Sequence, residues 1–157
     1  MMRTVDTCVI AVDAERVFAA AADVERWPER LAHYRYVRFL ERAGDRGVVE
    51  MSACRPFGPL DWPTWWTSEM EIDRPRSQVR YRHIRGVTTG MDVVWQITPR
   101  GPTTVVTLVH EWNGPRWGPL RRPAAEWIIG PVFVHGIATR TLAGLARHLE
   151  RSGNERS

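Results

Sequence analysis

The sequence predicts an α+β fold. A curved antiparallel sheet of seven strands, in the order β-α-α-β6-α, wraps around one long C-terminal helix and encloses a cavity. Three observations predict it. Six segments of period-two alternation follow one another through short connections between His33 and Trp112, which makes an antiparallel meander. Ile128, Pro131, His135, Ala138, Leu142, Leu145 and Leu149 step by three and four, so they share one face of a helix that must cover something. Eight tryptophans in 157 residues are more than a packed core of this size calls for, and a broad aromatic-walled cavity would use them.

Each element has a local reason. Thr4–Val12, "TVDTCVIAV", alternates polar and apolar residues and predicts a strand. Asp13 is placed to cap the alanine-rich helix "AERVFAAAA", with Val17 and Phe18 on its buried side. Asp23 is a second N-cap candidate, for a short helix around "VERWPERL". Pro28 fits that helix only in its first turn, where a missing N–H costs little, and this pins Trp27 beside it. "HYRYVRFLER", "VVEMSACR", "TWWTSEMEID", "QVRYRHIR", "MDVVWQIT" and "TTVVTLVHEW" are the next six strands. The Pro/Gly-rich "PFGPLDWP" predicts a loop too long for a tight hairpin, and "NGPRWGPLRRPA" predicts another before the final helix.

Composition narrows the function classes. With 43% hydrophobic and 25% charged residues, the chain is ordinary for a globular protein. One domain over residues 1–150 is expected, with an unordered tail over residues 151–157, "RSGNERS". No apolar run approaches the roughly 18–20 residues of a membrane span. The N-terminal segment lacks the apolar core of a secretory signal, so a cytoplasmic protein is expected. Cys8 and Cys54 fall in strands without a CxxC or Cys/His spacing, which predicts free thiols and no zinc site. The net charge is +4, the chain has no lysine, and the arginines alternate with acids without any run of five, which argues against nucleic acid.

Beyond this pattern, the chain resembles the START-like, Bet v 1-like helix-grip superfamily. Within it the chain resembles most the polyketide cyclase/dehydrase group of single-domain aromatase/cyclases. The resemblance covers about Thr4–Glu150. It rests on "VFAAAADVERWPERLAHY", the turn at Glu41–Asp45, Arg55–Pro56, Trp66–Ser68, "GM" at Gly90–Met91 with Trp95, and "HEW" at His110–Trp112. It implies cyclisation or dehydration of a poly-β-ketone without cofactor or metal, with an acyl carrier protein as a conceivable partner. It also implies a cavity tyrosine shortly after the WPE segment, which is Tyr34 here, and a cavity arginine on the strand after the loop. That arginine position falls on Met70, flanked by Glu69 and Glu71; Arg55 or Arg82 would compensate if either reached the cavity.

Ring closure of a poly-β-ketone needs a carbon acid deprotonated, an enolate oxygen stabilised and a hydroxyl lost as water. Tyr34 is the candidate acid, and His135, on the apolar stripe, or a bound water is the candidate proton acceptor. Trp27, Tyr36, Arg55, Trp66, Met70, Arg82, Met91, Trp95 and Leu142 are the candidate substrate contacts. Tyr36 shares Tyr34's face and either lines the cavity further in or only packs. Of the adjacent Trp65 and Trp66 only one can face inward, and Trp66 is the better match. His83 shares a strand face with Tyr81 and Val79, and His110 shares one with Leu108 and Trp112, so either can point inward. The stretches Arg55–Trp62 and Asn113–Ala124 are expected to flank one entrance. The second carries Trp117 with Arg116, Arg121 and Arg122, a lip suited to an acidic carrier protein or an anionic membrane surface. The alternative to an enzyme is a carrier of a quinone, isoprenoid or fatty acyl chain. The chain is expected to act as a monomer or homodimer, without stable membrane insertion.

Overall fold

The structure, a computed structural model, describes residues 1–57, 60–114 and 134–155. Seven strands form one antiparallel sheet in the order β1-β7-β6-β5-β4-β3-β2. They are β1 (Met2–Ile10), β2 (Tyr34–Ala43), β3 (Arg46–Phe57), β4 (Leu60–Asp73), β5 (Gln78–Gly86), β6 (Asp92–Arg100) and β7 (Thr103–Trp112). The helices are α1 (Ala14–Ala22), α2 (Trp27–Arg30), entered through a 3-10 turn at Val24–Arg26, and α3 (His135–Asn154). This is the helix-grip α+β arrangement.

Asp13 caps α1 by accepting from the Arg16 amide at 3.0 Å. Asp23 does not cap as expected. Its carboxylate accepts from the Arg30 guanidinium at 3.2 Å, and the tight 3-10 turn replaces a second capped helix. Pro28 sits at the start of α2, where its missing N–H has no helical partner to lose. The Trp27 indole N–H donates to the Ala20 carbonyl at 3.1 Å, which locks α2 against α1.

The strands bury every second residue. Val49, Met51 and Ala53 on β3, Val79 and Tyr81 on β5, Val93, Trp95 and Ile97 on β6, and Val106 and Leu108 on β7 all face inward. From α3, Ile137, Ala138, Leu142, Leu145 and Leu149 meet them. Each large apolar side chain so buried stabilises the fold by about 1.5–3 kcal/mol. Gly144 lets α3 approach α2, because a Cβ there would stand 2.6 Å from Leu31 Cδ2. The outer face carries ion pairs such as Arg46–Glu71 and Arg82–Asp92, at 3.0 and 3.1 Å. Exposed pairs of this kind contribute about 0–1 kcal/mol each.

Three expectations are corrected. The stretch expected as a long loop continues the β3–β4 ladder, with Arg55, Pro56 and Phe57 opposite Trp62, Asp61 and Leu60. The helix continues through Asn154, into the segment expected to be an unordered tail. Tyr36 does not share Tyr34's face. Tyr34 pairs with Ala53 and Tyr36 with Ser52, so a β-bulge places one extra residue between them and turns Tyr36 outward, under the Arg38 guanidinium at 5.0 Å. The expected helical residues Ile128 and Pro131 lie outside the described residues. No helix among the described residues is long and apolar enough to cross a membrane.

Candidate functional site

Between the concave sheet face and α3 lies a cavity of about 70 Å³, measured as the space open to the centre of a water-sized sphere. Its walls are aromatic. Trp27 meets Tyr34 edge-on at 5.2 Å between centroids and Trp95 at 5.4 Å, and Tyr34 meets Trp66 edge-on at 6.3 Å. Met51, Met91, Val93, Leu108, Ile137 and Ala138 complete the apolar part. Trp66 turns inward from β4, whereas Trp65 faces outward and is 49% exposed.

The polar groups are few and concentrated. Tyr34 leaves α2 at the start of β2 and points its ring into the cavity. Burial holds its phenol well above the ordinary tyrosine range, partly offset by a hydrogen bond with Thr141. The Thr141 hydroxyl donates to the Ile137 carbonyl at 2.8 Å and lies 2.9 Å from His33 Nε2, so this imidazole nitrogen is assigned as the donor to it. Tyr81 enters from β5. Its phenol is raised well above the ordinary tyrosine range, first by burial and then by Tyr34, and its hydroxyl has no hydrogen-bond partner among the described residues.

Two histidines share the chamber. His83 stacks on Trp66, with 5.8 Å between centroids and 10° between planes, and its Nδ1 lies 2.6 Å from Thr88 Oγ1. Burial, with the neighbouring His110, lowers its pKa to about 3. His110, on β7, has Nδ1 3.4 Å from Thr4 Oγ1 and is lowered by burial to about 4. Both imidazoles are therefore neutral at physiological pH, and both phenols are protonated. Among the described residues, the chamber wall offers hydrogen-bond donors and proton acceptors without any net charge.

The structure brings together Trp27, Tyr34, Trp66, Met91 and Trp95 in the cavity wall. Others lie elsewhere. His135 opens α3 with its side chain 64% exposed, and its Nδ1 lies 2.5 Å from Asp6 Oδ1 on β1. It shares the helical phase of Ala138 and Leu142, but the first turn of α3 sits at the sheet rim, where the buried Asp6 carboxylate holds it away from the cavity. Arg82 is on the outer face, paired with Asp92. Tyr36 faces outward beyond the bulge. Met70 and Leu142 are buried in the core but are not part of the cavity wall. The Arg55 side chain lies outside the described residues, as do Trp117, Arg116, Arg121 and Arg122. Sequence reasoning did not single out Tyr81, Thr88 or Thr141 and left His83 and His110 open. Strand parity with Val79 and Leu108 was the available signal for Tyr81 and both histidines. Among the described residues, no three His, Cys, Asp or Glu side chains converge as a metal site.

Comparison with known proteins agrees with this fold. A curated relative, the granaticin polyketide synthase bifunctional cyclase/dehydratase of Streptomyces virginiae, is 30% identical over 95 residues, or 60% of this chain. The match spans 31% of that relative's length. The Zhui aromatase/cyclase from Streptomyces sp. R1128 superposes with a TM-score of 0.79 at 21% identity, over 95% of this chain and 93% of that one. Major latex-like protein 151 from Panax ginseng superposes with a TM-score of 0.74 at 10% identity, over 94% and 96% of the two chains. These two likenesses concern the fold. Residues 10–133 match the family described as polyketide cyclase/dehydrase and lipid transport, and the chain belongs to that family.

Proposed function

We propose that the protein binds a polyketide-type chain in this cavity and promotes its aldol cyclisation and dehydration without a cofactor. One observation carries the reading: two phenols, Tyr34 and Tyr81, and two imidazoles, His83 and His110, line the same apolar chamber. In the first step an imidazole of His83 or His110 takes a proton from a carbon between two ketones. The enolate carbon attacks a second ketone, whose oxygen receives a proton from Tyr34. Loss of the resulting hydroxyl as water, with a proton from the adjacent carbon, leaves the double bond of the new ring. No electrons are gained or lost. The flat Trp27, Trp66 and Trp95 walls would hold the chain folded, so positioning supplies part of the rate. An acyl carrier protein as the bearer of the chain remains part of this proposal.

A second reading is a carrier that holds a hydrophobic molecule without chemistry. The absence of a cation at Met70 favours it. Incubation with a synthetic poly-β-ketone thioester separates the two. The enzyme yields a cyclic product that has lost one water, and Tyr34→Phe lowers turnover about 100-fold or more. A thioester recovered unchanged, with a lipid or quinone retained through purification, would overturn the enzyme reading.

A further inference from the structure

We propose that the surface groove between α2 and α3 is a binding site for the diphosphate group of a small molecule. The groove shares no lining residue with the cavity, so the site goes beyond the reading above and does not depend on turnover.

Arg30 from α2 and Arg140, Arg147 and Arg151 from α3 line the groove, together with His33 and His148. Leu31 and Gly144, both buried, form its floor, where the missing side chain of Gly144 lets the helices approach. Arg140, Arg147 and Arg151 recur at spacings of seven and four, so they stand on one face of α3. Arg147 and Arg151 are about 6 Å apart along the helix axis. Two linked phosphates can meet both guanidinia across that separation, and one phosphate meets them less well.

The charge here is not balanced as it is elsewhere. The hollow on the outer sheet face sets Arg46, Arg80 and Arg82 among Glu69, Glu71 and Asp92. The helix groove has only Glu29 and Glu155 against its four guanidinia. Glu29 turns to Arg26 at 3.5 Å, and Arg30 is held by Asp23 at 3.2 Å. Arg147 and Arg151 are exposed and have no carboxylate in ion-pair range among the described residues. Burial and then Arg140 lower His33 to about 4, and burial and then Arg30 lower His148, so the positive charge rests on the arginines. A guanidinium keeps its charge at any physiological pH and holds phosphate through two parallel N–H bonds. A concave wall lets several of them act on one anion, which a flat solvated row does not.

The test is calorimetric titration with inorganic pyrophosphate and with orthophosphate, at a constant ionic strength of about 0.15 M so that distant surface charges are screened. Pyrophosphate is expected to bind at least about 10-fold more tightly than orthophosphate. The double variant Arg147→Gln/Arg151→Gln should weaken pyrophosphate by at least about 10-fold. Arg46→Gln/Arg82→Gln, which removes the same charge from the outer sheet face, should leave it within about twofold. All four residues are on the surface, so the fold is kept. The His148 ring resonances should move on binding, and those of His83 in the cavity should not. ADP in the same titration separates two sources of the group: affinity equal to pyrophosphate assigns the site to diphosphate itself, and tighter binding extends it to an organic body. Pyrophosphate that binds neither by heat nor by resonance shift, equal affinity for the two phosphates, or equal loss in the two double variants would each overturn the site.

Discussion

Met70 places a thioether where the resemblance implies a guanidinium, and its cross-strand partner is Tyr81. Met70 is buried beside the cavity rather than in its wall, so under the cyclase reading proton transfer falls to groups whose protonation is set by burial. His83 and His110 illustrate the consequence. An ordinary histidine would lose half its base form near pH 6.5. With pKa values lowered to about 3 and about 4, these two keep their lone pairs throughout the range where the protein is used. Under the cyclase reading, kcat is therefore expected to stay level from pH 8 down to about pH 5. A profile that bends near pH 6.5 would show that neither buried histidine is the acceptor. Replacing the working histidine by glutamine should lower kcat by about 10²–10⁴-fold with little change in KM.

The strands that carry these side chains depend on irregularities that alternation alone does not reveal. The sheet, its order and the long helix were legible because period two and period 3.6 are imposed by burial on one face. The bulge between Tyr34 and Tyr36 was not legible, since either parity of "HYRY" gives an acceptable aromatic inside. A second bulge lies where β4 steps from Thr67 to Ser68 and its β5 partner moves from Arg85 to His83. His83 still follows the parity that starts at Val79, whereas Arg85, beyond the bulge, is exposed against it. Gly86 sits at this bulge with φ at +100°, and a Cβ there would stand 2.7 Å from the Trp65 carbonyl and 3.1 Å from Trp66 Cα. Gly86→Ala combines a left-handed backbone with a backbone clash beside a cavity wall. It should destabilise the fold by about 2–4 kcal/mol and shift the Trp66 emission. Urea unfolding with an unchanged midpoint and unchanged emission would show that the bulge absorbs the methyl. His135 failed for a related reason: helical phase predicts a face, but not where along the helix the sheet stops covering it.

The chain as a whole folds around imidazoles that must shed their proton. His33, His83 and His110 all have lowered pKa values, about 4, about 3 and about 4, with burial the main cause in each. In the unfolded chain each returns to about 6.5. A depressed folded value means that the unfolded state binds more protons below pH 6.5. Stability is thus fully present above that pH and is lost as the pH falls through 6.5 toward 4. For the two deeply buried groups, His83 and His110, the loss is about 1 kcal/mol per pH unit each. Over two units that is a few kcal/mol, against the roughly 5–15 kcal/mol that holds a domain together. Acid unfolding is therefore expected between about pH 4 and 5. Its slope, rather than its midpoint, identifies the cause. His110→Gln should lower the number of protons taken up on unfolding between pH 6.5 and 5 by about one, whatever it does to overall stability. Urea titrations at a series of pH values measure that slope directly. A variant with the wild-type slope would mean that His110 is already solvated in the folded protein, and the closed, uncharged chamber on which the acceptor argument depends would not exist.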